Sequence, residues 1–207
     1  MLTKCNYEGV SGTSVAQDFV ELPSQIMEHW AVEPEVLKLY AKHYETREVI
    51  PDELITKIQN QGTFNQGFMT TELLAAALLD MELHNLTDTE NLNVVAFEKE
   101  TMDKLGLIPE IAPRYRATYF SHIIGGYAAG YYSYLWAEVL DTDAFEAFKE
   151  HGVFDKNTAD SFRKNILEKG GTEDPMTLYR GFRGADPSLE PLLKNRGLKS
   201  VSYTHLR

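Results

Sequence analysis

Apolar positions along this 207-residue chain fall at intervals of three and four, segment after segment, the spacing of helices packed by one face. Between Thr13 and Trp30 the apolar residues Val15, Phe19, Ile26 and Trp30 keep mostly to that interval. Pro23 within this stretch either kinks a helix or stands in its first turn. PEVLKLYAKHY (34–44) is amphipathic, and PDELITKIQNQ opens with Pro51 and Asp52, a helix-starting pair. From Thr70 to Leu86 the chain is rich in Ala and Leu and apolar on most faces, which predicts a buried central helix. Residues 93–106 read as another amphipathic helix, stopped by Gly106. Helical spacing resumes at Tyr131, and further helical pieces are expected at 155–168, 174–182 and 187–195. No stretch alternates as a strand would, so the expected fold class is all-α.

Composition narrows the partners. Hydrophobic residues at 43% and aromatics at 11% suffice for a packed core. Twenty Lys and Arg against 31 Asp and Glu leave a net charge of −11 and no basic stripe, which argues against nucleic acid or an anionic membrane as partner. Cys5 is the only cysteine, leaving neither an intrachain disulfide nor a cysteine zinc site. MLTKCNYEGVSG at the start has no basic region followed by an apolar run, and no stretch reaches membrane-spanning length, so a soluble, cytoplasmic chain is expected. Trp30 and Trp136 read as core, and the acidic runs Asp88–Glu90 and Asp141–Glu146 as solvated faces.

Local motifs are sparse. A Gly-rich phosphate loop, GxSxG and HExxH are all missing from the sequence, and the histidines at 29, 43, 84, 122, 151 and 205 never stand as an HxxxH pair. His29, His43, His84 and His151 read as surface or internally satisfied residues. Periodicity and composition alone stop at a helical domain.

Two segments carry more: SGTSVAQDFVELPSQIMEHW (11–30) and YRATYFSHIIGGYAAGYYSYLW (115–136). Together with GFMTTELLAAALLDMELH (67–84) and LYRGFRGADPSLEPLLKNRGL (178–198), they resemble the thimet oligopeptidase and peptidyl-dipeptidase Dcp family of zinc peptidases, in order and over residues 7–198. The wording is nearest to the bacterial peptidyl-dipeptidases. The resemblance implies that residues 1–198 are the C-terminal, helical portion of a zincin-like oligopeptidase catalytic domain, with 199–207 a tail outside it. It also implies that short peptides are the substrates, with release of C-terminal dipeptides favoured over internal cleavage.

Site residues follow from the resemblance alone. Glu21, in DFVELPSQ, matches the family's carboxylate ligand to Zn2+, with Asp18 and Gln25 as its neighbours if the helix is continuous. His122 and Tyr134 match groups beside the scissile carbonyl, with Tyr127 close behind and Tyr131 as a substrate contact. A phenol suits oxyanion support because it donates a hydrogen bond while neutral at pH 7. Gly125 and Gly126, with Gly130, offer bare backbone that a peptide can approach. Arg114 and Arg116 are candidates for a substrate carboxylate, although ordinary surface arginines remain the plainer reading.

The same resemblance places HExxH, with two zinc-binding histidines and the general base, shortly before Met1. A chain without that motif and without the N-terminal half of the enzyme is expected to be inactive alone. The alternative is a non-catalytic helical interaction module derived from such a peptidase.

Overall fold

The computed structural model describes residues 2–198; Met1 and the expected tail, 199–207, lie outside the described residues. The described chain is helical: α1 (Leu22–Trp30), α2 (Pro34–Tyr40), α3 (Asp52–Gln61), α4 (Gln66–His84), α5 (Val94–Lys104), α6 (Ser133–His151), α7 (Lys156–Phe162), α8 (Pro175–Arg183) and α9 (Glu190–Asn195). Among the described residues no strand forms; one antiparallel bridge joins Lys42 and Val49, so the stretch after Tyr40 turns back instead of extending α2 to residue 44. Pro23 stands in the first turn of α1, where its missing N–H costs nothing. The expected helix from Thr13 therefore begins only at Leu22, and Asp18 precedes it in a turn instead of sharing its face.

Side-chain caps fix several helix starts. Asn93, Asp155 and Asp174 accept the backbone N–H of Ala96, Thr158 and Thr177 at 3.0, 2.7 and 3.0 Å. Each such cap is worth about 1 kcal/mol. Gly106, at φ 65, ends α5 in the left-handed region. The expected helix 155–168 is α7 followed by one π turn, Arg163–Leu167.

The described chain divides into two compact units, the first comprising residues 2–64 and 137–198 and the second Asn65–Trp136. The core of the first unit is Phe19, Leu22 and Ile26 packed with Leu140, Ala144, Phe145 and Phe148 of α6 and with Phe162, Ile166, Leu178 and Tyr179. Trp30 joins it edge-on to Phe145 and Phe148, its Nε1 donating to the Val153 carbonyl at 2.8 Å. The N-terminal segment straps onto the turn after the π helix: Gly171 N–H donates to the Val10 carbonyl at 2.8 Å and Lys4 N–H to that of Glu168 at 2.9 Å. Gly170 and Gly171 permit this approach, since a Cβ on either would lie 2.3 Å from the carbonyl oxygen of Val10 or Ser14.

Two sequence expectations fail here. The run Asp141–Glu146 is not a solvated face: Asp141 and Asp143 are buried because each has a partner inside. His29 Nε2 lies 2.7 Å from Asp141 Oδ1, and Tyr179 donates its hydroxyl to Asp143 Oδ2 at 2.6 Å. Trp136, expected in the core, is 36% exposed.

In the second unit α4 packs against α5, and α5 against the short 3-10 turn Ala117–Tyr119. Ala76 and Ala77 of α4 meet Phe120, Ile123 and Tyr131, flanked by Leu73, Leu83, Tyr115 and Tyr134. Small side chains at Ala75–Ala77 leave room for these rings at the helix surface. No helix among the described residues is long and apolar enough to cross a membrane.

Candidate functional site

The segment 115–134 is built from short turns because glycines and aromatics interrupt helical periodicity. Two 3-10 turns, Ala117–Tyr119 and Ser121–Ile124, lead into a glycine-rich loop that hands over to α6. Tyr127 N–H donates to the His122 carbonyl at 3.1 Å, and Gly130 N–H to that of Tyr127 at 2.9 Å. These bonds fold the loop back over His122 and gather the expected residues of this unit into one cluster.

His122 lies at the centre of that cluster. Ring centroids of Tyr115, Tyr127, Tyr131 and Tyr134 stand 5.1, 6.0, 5.3 and 6.1 Å from its imidazole. Tyr127 and Tyr134 stack on each other at 5.1 Å, and Tyr131 meets Tyr134 edge-on at 5.1 Å. His122 Nδ1 is buried and has no hydrogen-bond partner among the described residues. A buried polar atom in that state is unusual in a structure built only for packing. Tyr131 is the most enclosed tyrosine of the cluster, 4% exposed, and burial pushes its phenol up to about 12, with Tyr115 hydrogen-bonded to it. Tyr127 and Tyr134 are half-buried. Gly125 and Gly126 are exposed, and a Cβ at Gly126 would meet nothing within 4 Å, so bare backbone borders open space beside the rings.

Two buried carboxylates hold this segment, and neither stood out in the sequence. Asp80 on α4 is fully buried; its Oδ1 accepts the N–H of Ala129 and its Oδ2 that of Tyr131, both at 2.9 Å. Its Oδ1 also lies 2.8 Å from Nδ1 of His84, one turn on. Glu98 on α5, also buried, accepts the Ala117 N–H at 2.7 Å and pairs with Arg116. Arg116 is thereby engaged as an internal partner. The signal that could have found Asp80 is an acid one residue beyond Leu79 on the face that buries Ala76, where an ion is almost never tolerated without donors.

Glu21 belongs to the first unit. It immediately precedes α1, is half-buried, and its carboxylate accepts the Ser24 hydroxyl. Among the described residues no three His, Cys, Asp or Glu side chains gather as a metal site. A zinc site takes at least three protein ligands. Glu21 is one oxygen donor, so the donor set of these residues does not hold a zinc ion by itself.

The cluster thus sets phenol and imidazole hydrogen-bonding groups beside bare glycine backbone. The model of Peptidase family M3 matches residues 1–198, and the chain belongs to that family. It is 45% identical over 205 residues to the dipeptidyl carboxypeptidase of Escherichia coli, covering 96% of this chain and 30% of that protein. It is 42% identical over 202 residues to E. coli oligopeptidase A, again covering 96% and 30%. An organellar oligopeptidase A of Arabidopsis thaliana is 41% identical over 209 residues, 98% of this chain and 26% of that protein. The chain thus spans about three-tenths of the length of the relatives it matches.

Proposed function

We propose that this chain supplies the substrate-binding and carbonyl-polarising part of a zinc-dependent peptidase acting on short peptides, and that dipeptides released from the C-terminus are its products. The observation that carries this reading is the His122 cluster, with its unpartnered buried Nδ1 and three tyrosine rings beside exposed glycines. Support for dipeptide release comes from the E. coli relative at 45% identity, a dipeptidyl carboxypeptidase.

In this reading the peptide lies against the open backbone of Gly125 and Gly126. The hydroxyl of Tyr134 and the imidazole of His122 donate hydrogen bonds to the carbonyl oxygen as negative charge develops on it. Both donors are fixed by packing before the substrate arrives, so little reorganisation is needed when charge appears. Tyr127 holds the Tyr134 ring by stacking, and Tyr131 forms the floor beneath, contacting the substrate at its edge. Glu21 is the carboxylate that this chain offers to a zinc ion. Hydrolysis needs further groups, which the portion of the M3 relatives outside the matched residues would supply.

The test is a chimera in which residues 1–198 replace the matching portion of the E. coli dipeptidyl carboxypeptidase. The chimera should release dipeptides, and Tyr134→Phe within it should lower kcat by about 10²–10³-fold with little change in KM, as loss of one oxyanion donor does. A Tyr134→Phe chimera with the parent kcat would remove Tyr134 from this role.

A further inference from the structure

The structure assigns Asp80 as a positioning residue: from within α4 its carboxylate holds the glycine-rich loop in the shape that gathers His122, Tyr127, Tyr131 and Tyr134. The functional half of this inference rests on the reading proposed above, whereas the anchoring itself does not.

Three features of the second unit carry it. A carboxylate with no solvent exposure is costly unless donors surround it, and this one has both oxygens engaged by loop N–H groups at 2.9 Å. Helix α4 makes its own backbone hydrogen bonds, and besides His84 one turn on, the partners of the acid are the two loop N–H groups. Ala129 is held at φ 52, in the left-handed region that a residue with a Cβ avoids, and its N–H is one of the two that Asp80 accepts. Such a conformation persists only where surrounding structure fixes it. Asp80 therefore acts at the point where the loop is most reluctant to hold its shape.

The geometry also gives the loop a second fixed end. Glu98 accepts the Ala117 N–H at 2.7 Å, so the stretch between Ala117 and Ala129 is tied by a buried acid at each side. Between the ties lie His122 and Tyr127 together with Ile124, which is 79% exposed. Tyr131, whose N–H is the other one bonded to Asp80, carries the buried phenol against which Tyr134 rests. Removing the acceptor frees the backbone on both sides of Gly130 and, with it, the floor of the cluster.

The experiment uses the 207-residue chain and three readouts that do not involve peptide hydrolysis. In the unaltered chain, through-hydrogen-bond NMR coupling should connect the amide nitrogens of Ala129 and Tyr131 to the Asp80 carboxyl carbon; lack of that coupling overturns the assignment whether or not any variant folds. In Asp80→Asn, which keeps the shape but offers one acceptor where the acid offers two, these two amides should exchange about ten- to a hundredfold faster while those of α5 keep their rates. The Tyr131 phenol should titrate closer to the ordinary tyrosine value in Asp80→Asn, a signature that a general loss of stability would not give to one tyrosine alone. Unchanged exchange at Ala129 and Tyr131 in a folded variant, or loss spread evenly over α4, α5 and the loop, overturns the inference. Because no arm depends on turnover, an inactive chimera would leave this result untouched, and a loose loop would leave the Tyr134→Phe test intact.

Discussion

Asp141 should make the stability of the first unit depend on pH in a direction opposite to most carboxylates. Burial pushes its carboxyl up from 3.8 to about 6; the hydrogen bond and charge of His29 pull it down, and the charges of Glu138 and Glu28 push it further up. A carboxyl raised in the folded state favours folding most when protonated, so its contribution is fully present below about pH 4 and is lost as the pH rises through about 6. The gap of about two units corresponds to about 3 kcal/mol at 1.36 kcal/mol per unit, of which about 2 kcal/mol develops between pH 4 and 7. Asp141→Asn keeps the volume and removes the ionisation. Urea unfolding of the chain and this variant at half-unit steps from pH 4 to 7 isolates Asp141 and the groups that it faces, because titrating groups remote from it, such as Asp155 and Glu168 with their lowered carboxyls, cancel in the difference. The stability of the unaltered chain minus that of the variant should fall by about 2 kcal/mol across the range, or about 4–8 °C in melting temperature for a chain this size. A difference that stays flat, or rises with pH, would refute the assignment of burial as the dominant cause.

Two further outcomes test other parts of the structure. Gly171→Ala places a methyl 2.3 Å from the Ser14 carbonyl oxygen, so thermal melts should show a loss of about 1–3 kcal/mol, against almost none for Gly126→Ala, where a methyl meets open space. Isothermal titration of the chain with Zn2+ at neutral pH should show only weak binding, which Glu21→Gln abolishes; tight one-to-one binding would mean that ligands beyond Glu21 assemble within the chain.

The helices were legible because their causes are local. The Ala- and Leu-rich stretch became α4, Gly106 stopped α5, and Asp155 and Asp174 cap the helices that they precede. The misreadings share a different cause. Residues 41–44 kept helical spacing but turned back into the Lys42–Val49 bridge, a pairing that joins residues seven apart and leaves no mark on the 3.6-residue pattern. Thr13–Glu21 likewise kept the spacing, yet Ser14 and Val15 lie against Gly171 far along the chain, and short turns such as Phe19 N–H to the Ala16 carbonyl take the place of a helix.

The candidate site divides along the same line. His122, Tyr127 and Tyr134 were reached through segment likeness, and the structure of their unit brings them into one cluster. Asp80, Glu98 and Asp141 were not reached, because an acid reads as solvated until its donors are known, and those donors stand 49, 19 and 112 residues away. These acids are also what turns packed helices into a site with a defined shape: two of them bind the backbone N–H groups that the glycines and turns of segment 115–134 leave outside any helix. A glycine-rich loop is held in one conformation more firmly by acceptors from elsewhere, since glycine and alanine side chains supply none. Where a helical sequence pairs such a loop with an acid on an otherwise apolar helix face, the two are best read as one device.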